Sequence, residues 1–391
     1  MSGPPLAAAL VFLLAACAVR PIPVPEAPVK ADTFLRLDAT TFQKLPGWLT
    51  DNHAEALAVF LQSCEKLKSL PPTKKLGPSM ASTVAGEWRV VCNAAARVRR
   101  GAKTEAQYFF ESRFTPYRAS NNSNPNGLFT GYYEPELRGA WRPSATYRYP
   151  IYGLPKDLVS INLGSFRDEW KGRHLTGRLH GNTLTPYPTR AEINGGVLKG
   201  RQLELLWVDS AIDAFFLHIQ GSGRVVLPDG SQVRIGFAGR NGQRYTPIGR
   251  ELVAMGALKS KQVSLQSIQA WIRANPLRGR DLMEKNKAYI FFRIIDGQGP
   301  IGAQGIPLTA GRSLAVDRAF IPLGIPVWLT TTEPGKAKKP VRRLVIAQDT
   351  GSAIKGPVRG DLFIGFGPAA GAIAGRMKQR GQYFLLLPKK R

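Results

Sequence analysis

The sequence predicts a mainly β protein with a helical N-terminal part, an α+β fold class. Helical spacing of apolar residues is clearest in the first third, where Ala56, Phe60, Cys64 and Leu67 recur every three or four positions. From Gly127 onward, short apolar runs are broken by Gly and Pro, as is typical of strands. Because regular helices do not separate these strands, the pattern argues against a parallel, doubly wound sheet.

The predicted elements follow in order along the chain. Helices are expected at 51–70, 82–99, 104–114, 246–255 and 264–274, and a Ser/Asn/Pro loop at 117–126. Strands are expected at 127–137, 203–209, 214–220, 224–239, 288–296, 326–330, 342–349 and 383–387. The run 224–239 is a hairpin that turns on Asp229-Gly230.

The first 17 residues, MSGPPLAAALVFLLAAC, predict export from the cytoplasm. Residues 1–16 resemble a signal peptide, and their apolar core is too short to span a bilayer. Small residues before Cys17 are typical of a bacterial lipobox, in which this Cys is lipidated; the alternative is a plain secretory signal. Ala18, rather than Asp, follows the Cys, and the resemblance to bacterial lipoproteins then implies sorting to the periplasmic face of the outer membrane of a Gram-negative bacterium. Residues 17–37 are Pro-rich and are expected to form a stiff tether.

Charge narrows the class of partner. Lys and Arg number 54 and Asp and Glu 27, so the formal net charge is +27. This excess predicts an anionic partner. An exported protein does not meet nucleic acid, so nucleic acid is excluded as the anionic partner. The remaining candidates are the wall polymer murein, lipopolysaccharide and anionic lipid. A hydrophobic share of 43% excludes a disordered chain.

Cys64 and Cys92 are the cysteines that remain after Cys17. An oxidising compartment favours a disulfide between them, and two separate buried thiols are the alternative. The four histidines show no ligand spacing, so neither a metal site nor a cofactor is expected. The run 297–302 matches GxGxxG, but Pro300 opposes the helix that a dinucleotide site requires.

Three acidic residues of the basic C-terminal third stand at predicted strand ends: Asp317, Asp349 and Asp361. Each alone would be explained by a turn cap or an Arg partner. Together they indicate carboxylate chemistry, of which two kinds fit. Residues 349–352 read DTGS, as in an aspartic protease, which needs a second such Asp and hence a homodimer. The other kind is glycosidic bond cleavage with an Asp as the acid.

Six long motifs in a fixed order carry a family resemblance. They are GLFTGYYEPEL, YPTRAEI, FFLHIQGSGRV, GRNGQRYTPIGREL, SLAVDRAFIPLG and AQDTGSAIKGPVRGDLFIGFGPAAGAIAGR. Together they resemble the membrane-bound lytic murein transglycosylase A family, over residues of about 38 to 388. The resemblance implies a double-psi β-barrel with a second β domain inserted and a glycan groove between them. The implied domains are a helical part with the first barrel strand (38–132), the inserted substrate-binding domain (133–295) and the three-Asp part of the barrel (296–391).

The resemblance also implies roles for individual residues. Asp361 falls on the catalytic acid/base, and Asp349 and Asp317 on supporting positions. The implied glycan contacts, from motif position, are Thr130, Tyr132, Tyr133, Gln220, Gly221 and Ser222.

The reaction implied is cleavage of the β-1,4 bond between N-acetylmuramic acid and N-acetylglucosamine, which leaves a 1,6-anhydromuramic end. A single carboxylate suffices because the 6-hydroxyl of the sugar replaces water. The implied partners are peptidoglycan strands, the outer membrane, and proteins of wall synthesis or division. An aspartic protease and a noncatalytic murein-binding lipoprotein remain the alternatives.

Overall fold

A computed structural model describes residues 33–77, 83–297, 299–335 and 337–389. The predicted signal peptide, Cys17 and the tether up to residue 32 lie outside these ranges. Within them, none of the helices has both the length and the apolar character needed to cross a membrane.

The helices of the described residues are short. Their bounds are α1 His53–Lys68, α2 Ala85–Ala95, α3 Lys103–Arg113, α4 Arg190–Asn194, α5 Ala211–Gln220, α6 Ile248–Ala254, α7 Leu265–Ala274, α8 Pro276–Glu284 and α9 Gly367–Ala374.

Strands make up most of the remaining regular structure. The N-terminal strands are β1 Leu35–Ala39, β2 Lys75–Leu76, β3 Thr83–Val84, β4 Phe114–Asn121 and β5 Gly127–Glu134. The next are β6 Glu136–Ala140, β7 Tyr149–Tyr152, β8 Leu158–Asn162, β9 His174–His180, β10 Thr183–Pro186, β11 Glu204–Val208, β12 Ser222–Val226, β13 Gln232–Arg240 and β14 Ile290–Ile294. The last are β15 Ser313–Val316, β16 Pro326–Thr332, β17 Pro340–Asp349, β18 Arg359–Phe366 and β19 Lys378–Pro388.

Six strands close into a barrel in the order β19-β16-β17-β15-β18-β5, because β5 pairs both with β18 and back with β19. β4 continues the sheet from β19, and β1 pairs with β4. β5 comes from before residue 135 and the other five strands from after residue 312. The predicted mainly β fold with a barrel and an insertion is therefore confirmed.

The three N-terminal helices share one apolar core with the barrel. Phe60 of α1 contacts Trp88 of α2 and Phe110 of α3, and all three rings are fully buried. The same core includes Trp328 of β16. A disulfide joins Cys64 of α1 to Cys92 of α2.

The insertion lies between β5 and β15. It contains a six-stranded sheet in the order β14-β13-β12-β6-β11-β7, a three-stranded sheet β10-β9-β8, and helices α4 to α8. Where the chain leaves the barrel, Glu134 is fully buried and accepts hydrogen bonds from Arg224 (2.8 Å) and Arg234 (2.9 Å). This ion-paired carboxylate joins the last residue of β5 to two strands of the insertion.

Two local predictions were wrong. The run 214–220, expected as a strand, belongs to helix α5. The region 117–126, expected as a loop, begins within strand β4, which pairs along β1 on one side and β19 on the other. The three N-terminal helices, the hairpin at Asp229-Gly230 and the strands of the C-terminal third are confirmed.

Candidate active site

Strand pairing brings together residues that are far apart in the sequence. β5 and β18 run parallel, with Thr130 in register with Asp361. On the other side of β18, Ala315 of β15 is in register with Asp361 and also with Asp349 of β17. The order across the sheet is therefore Asp349, Ala315, Asp361, Thr130. Neighbouring strands are about 4.8 Å apart, and β15 lies between the strands of the two acids. The backbones at Asp349 and Asp361 are therefore roughly 10 Å apart across the sheet.

Asp361 receives one directed hydrogen bond. The Thr130 hydroxyl lies 2.5 Å from Asp361 Oδ1, and Arg359 Nη2 lies 2.8 Å from Thr130 Oγ1. A guanidinium can only donate, so Thr130 accepts from Arg359 and must donate its own hydrogen to Asp361. Asp361 Oδ1 is thereby an acceptor. Oδ2 makes no hydrogen bond to any described residue and is not sealed from solvent, so a proton on Asp361 belongs on Oδ2.

Asp349 is engaged on both of its oxygens. Oδ1 accepts from the backbone N–H of Ala303 and of Thr350, each at 2.9 Å. Oδ2 accepts from the Tyr132 hydroxyl at 2.9 Å. Burial and the negative charge of Asp349 raise the pKa of Tyr132 well above its usual range, so this hydroxyl remains a donor.

Asp317 has a different environment from the other two acids. It is buried, with 5% of its surface exposed. Its oxygens accept backbone hydrogen bonds from Ala319 (3.1 Å) and Gly356 (2.8 Å). Asp317 therefore fixes the loop after β15 to the segment before β18, and it does not line the cleft described next.

A cleft of about 270 Å³ opens at Asp361 between the barrel and the insertion. Its barrel side is formed by Thr130, Gly131, Tyr132, Gly351, Ser352, Ala353, Ile354, Arg359 and Asp361. Its insertion side is formed by Arg190, His218, Ile219, Gln220, Arg240, Gln243, Tyr245, Asn286, Ala288 and Ile290. A neighbouring cavity of about 490 Å³ shares Thr130, Gln220 and Tyr245 and extends to Tyr133 and Lys378. The two spaces adjoin at the residues they share, and we refer to them together as the groove.

The remaining predicted contacts divide into two groups. Gln220, the last residue of α5, accepts a hydrogen bond from the backbone N–H of Tyr133 at 3.2 Å and lines both spaces. Gly221 follows the helix with φ of 80°, a left-handed conformation that favours glycine, and Ser222 begins β12. Neither Gly221 nor Ser222 is among the residues that line these two spaces.

Burial controls the protonation of the central carboxylates. Loss of water raises the pKa of Asp361; the charge of Arg359 and the Thr130 hydrogen bond oppose this, and the charge of Asp349 adds to it. Burial also raises the pKa of Asp349, against its hydrogen bonds. A carboxyl with a raised pKa, an open oxygen and a position in a cleft is suited to donate a proton.

Comparison with known proteins gives this arrangement a family. The model of the MltA specific insert domain matches residues 128–293, and the model of the 3D domain matches residues 312–387. A crystal structure of a membrane-bound lytic murein transglycosylase from Agrobacterium tumefaciens superposes with a TM-score of 0.80 and 36% identity, over 90% of this chain and 97% of that one. This chain belongs to the membrane-bound lytic murein transglycosylase A family.

Other members of the transglycosylase A family agree. The Vibrio cholerae membrane-bound lytic murein transglycosylase A is 34% identical over 267 residues, and the match spans 67% of this chain and 65% of that protein. Escherichia coli MltA with bound chitohexaose superposes with a TM-score of 0.67 and 25% identity, over 92% of this chain and 97% of that one. The predicted family is therefore confirmed.

Several cleft residues were not singled out from the sequence. Arg190, Gln243 and Tyr245 lie in motifs that carry the family resemblance, but nothing in their spacing assigned them a role. His218 was expected to be an ordinary buried or exposed histidine. It is buried, its Nδ1 accepts from the backbone N–H of Ile290 at 3.1 Å, and burial holds its pKa well below the usual range. It therefore forms part of the cleft wall as a neutral ring.

Proposed function

We propose that this chain is a lytic transglycosylase that cleaves murein between N-acetylmuramic acid and N-acetylglucosamine, with Asp361 as its acid and base. The observation that carries the proposal is the state of Asp361 in the cleft. Oδ1 accepts from Thr130, while Oδ2 makes no hydrogen bond to a described residue and is the oxygen available to a proton. The E. coli relative holds a chitohexaose, a glycan of linked N-acetylglucosamines, and we extend glycan binding to the groove of this chain.

The first step is proton donation. Asp361 Oδ2 gives its proton to the oxygen that links the muramic C1 to the departing glucosamine, and the C1–O bond breaks. Positive charge then builds on the muramic ring. The pKa raised by burial keeps a larger share of Asp361 protonated near neutral pH than an exposed Asp would have.

The second step is closure by the substrate itself. The 6-hydroxyl oxygen of the same muramic residue bonds to C1, and its proton passes to Asp361 Oδ2. The product is a 1,6-anhydromuramic end, and the acid is restored. An attack within one ring gains from proximity, so no second carboxylate is needed to activate water.

The other two acids act as supports in this proposal. Asp349 holds the Tyr132 hydroxyl and adds negative charge near Asp361, and Asp317 fixes the loops around the site. Thr130 orients Asp361, and we assign glycan contacts to Tyr132, Tyr133 and Gln220, which line the groove. Gly221 and Ser222 line neither space, and we assign them the turn from α5 into β12 that positions Gln220. Because both oxygens of Asp349 are engaged, the DTGS string does not offer the free, proton-sharing pair of an aspartic protease.

The location of the enzyme is part of the proposal. We propose that residues 1–16 are removed, that Cys17 is lipidated, and that a tether after it holds the domains 38–132, 133–295 and 296–391 at the periplasmic face of the outer membrane. The sequence predicts the tether over 17–37, but Leu35 is buried in the core and begins β1, so the folded body starts by residue 35. The relatives named membrane-bound come from Gram-negative bacteria and support membrane association.

The test is digestion of purified sacculi followed by mass spectrometry of the soluble products. We expect anhydromuramic ends from the wild type and at least a 1,000-fold lower release from Asp361→Asn, since general acid catalysis contributes roughly 10²- to 10⁴-fold and the base is lost as well. Glu333→Gln, which removes an exposed carboxylate of the barrel, serves as the control. Hydrated reducing ends would indicate a hydrolase, and binding without soluble fragments would indicate a noncatalytic murein binder.

A further inference from the structure

Arg190 at the start of α4 is the most deeply buried cation of the cleft, with 3% of its surface exposed. Its Nε donates to the carbonyl oxygen of Asn286 at 3.0 Å, and its Nη2 donates to that of Ala288 at 2.5 Å. The guanidinium also lies against two aromatic rings, 4.8 Å from the centre of Phe215 and 5.2 Å from that of Tyr289. The side chain is thus held in one position before any ligand arrives.

The charge of Arg190 makes no direct ion pair with a described residue, although the carboxylate of Glu284 acts on it from a greater distance. Among the residues with described coordinates, no carboxylate oxygen lies within 4.0 Å of it, whereas the buried Arg312 is bound by Asp51 at 2.8 Å. Burial lowers the pKa of Arg190 to about 10, so the side chain is still charged at neutral pH. A buried cation that is held by carbonyl groups and rings but by no directly paired carboxylate costs folding free energy, and this cost is offset when an anion binds.

One end of the guanidinium remains available. Nη1 donates to none of the described residues, and it is not among the sealed polar atoms that lack a partner. It therefore reaches open space. Arg190 lines the cleft of Asp361, and with His218 it also borders an adjoining cavity of about 650 Å³. That cavity is bordered by three further cations and two carboxylates: Arg148, Lys199, Arg280, Glu204 and Glu284.

The substrate class supplies an anion at this place, and this step rests on the proposed function. The muramic residue at the cleaved bond carries a lactyl group on C3 of the ring that reacts. On a peptide-free strand that group ends in a carboxylate, and on a substituted strand it continues into a stem peptide with carboxylates of its own. N-acetylglucosamine carries no such group, so a cation in the cleft of Asp361 would distinguish murein from a neutral glycan.

We propose that Arg190 binds a carboxylate of the muramic side chain and thereby makes this enzyme selective for murein over neutral β-1,4 glycans. The shared chemistry is an Arg–carboxylate pair in a partly dehydrated cleft, which is a strong and directional contact. The carboxylate is either the lactyl group or part of the stem peptide, and the experiment separates the two.

The experiment measures dissociation constants in an Asp361→Asn background, so that ligands are bound and not cleaved. The ligands are murein fragments with stem peptides, amidase-treated fragments with free lactyl carboxylates, and chitohexaose as the neutral glycan. We expect Arg190→Gln to weaken binding of carboxylated fragments roughly 10- to 100-fold, as for loss of a hydrogen bond to a charged group, and to leave chitohexaose affinity unchanged. Weaker binding of the amidase-treated ligand alone assigns the lactyl carboxylate, and weaker binding of the peptide-bearing ligand alone assigns a stem-peptide carboxylate. Weaker binding of both shows that Arg190 pairs with whichever carboxylate the muramic side chain presents.

Two matched variants separate recognition from structure. Arg190→Lys keeps the charge and loses the paired backbone contacts, so it should recover part of the selectivity if the charge is what matters. Arg244→Gln removes an exposed Arg that borders neither cavity and should change nothing. Equal weakening of chitohexaose and murein binding, or no weakening of either, overturns the proposal. If selectivity is lost as expected but the wild type forms no anhydro ends, recognition stands and the proposed reaction fails.

Discussion

The Thr130 hydroxyl and Asp361 Oδ1 are 2.5 Å apart, although 231 positions separate the two residues in the sequence. Arg359 fixes the direction of this hydrogen bond by donating to the same hydroxyl. Burial raises the pKa of Asp361, and the hydrogen bond from Thr130 lowers it. The bond therefore favours the charged form of Asp361. Thr130 therefore tunes the acid as well as orienting it.

Thr130→Val is expected to lower kcat about 10- to 100-fold, because hydrogen bonds to charged groups are worth about 1.5–3 kcal/mol. Without the hydroxyl the pKa of Asp361 rises further, so the alkaline limb of the pH–rate profile moves to higher pH. Thr130→Ser retains a hydroxyl and should keep both the rate and the limb near the wild type. A limb that stays in place or moves to lower pH would contradict the tuning role.

Asp349→Asn is expected to shift the same limb in the opposite direction. The negative charge of Asp349 helps to raise the pKa of Asp361. Its removal makes Asp361 lose its proton at lower pH, so activity above neutral pH falls several-fold while activity at acid pH is retained better. The check is kcat/KM across pH 4 to 9 with soluble murein fragments. A uniform loss at every pH would indicate misplacement of Tyr132 instead.

Asp361→Asn is expected to stabilise the fold at neutral pH. Because the folded pKa of Asp361 is raised, this group favours folding while it is protonated, below its unfolded value of about 3.9, and that contribution is lost as pH rises through the folded pKa. Asn stays neutral at all pH. The melting temperature of the variant should exceed that of the wild type at pH 7.5, and the difference should vanish near pH 4. A variant that melts lower at pH 7.5 refutes the account.

Glu134→Gln is expected to lower the free energy of unfolding by about 3–5 kcal/mol, the cost of removing one member of a buried ion pair. The carboxylate is fully buried, and its loss leaves Arg224 and Arg234 facing each other. Denaturant titration measures the change. Glu136→Gln, two positions along and exposed, should stay within about 0.5 kcal/mol of the wild type.

Removal of the Cys64–Cys92 disulfide is expected to cost about 3–4 kcal/mol, the loop-closure entropy of a 28-residue separation. Dithiothreitol should lower the stability of the wild type by a similar amount. It should have no effect on a double variant in which both residues are Ser. If dithiothreitol lowers the stability of both proteins equally, the disulfide does not contribute the predicted stability.

Local pattern predicted elements well where one face of the element meets solvent. The α1 helix buries one face, and the three- to four-residue spacing of its apolar residues predicts it correctly. For α5 the sequence pattern wrongly predicts a strand. Four consecutive residues of this helix are buried, so the apolar residues show no helical period: Phe215, Phe216, Leu217 and His218. Two cap signals were nevertheless present, since the Ser210 side chain accepts from Asp213 N–H and Gly221 ends the helix in a left-handed conformation.

Other features depend on partners that local pattern does not contain. The segment that contains Pro116 and Ser120 has loop-like composition, yet β4 forms because β1 and β19 pair with it from both sides. The three acids could be chosen from the sequence because they stand in or next to apolar strands of a basic region. The hydrogen bond between Thr130 and Asp361 could not, because it forms only when the barrel strands β5 and β18 pair across 231 positions of sequence. The position of Arg190 could not either, because it depends on the insertion packing against the barrel.

The barrel has a consequence for the timing of activity. Its first strand is complete by residue 134, but the strand that carries Asp361 comes more than 200 positions later and pairs directly with it. Under the proposed function, a chain that ends ahead of β18 has the insertion but lacks the residue assigned as proton donor. We therefore expect activity to arise only when the C-terminal strands have been made, and fragments truncated ahead of Arg359 to release no soluble products from sacculi.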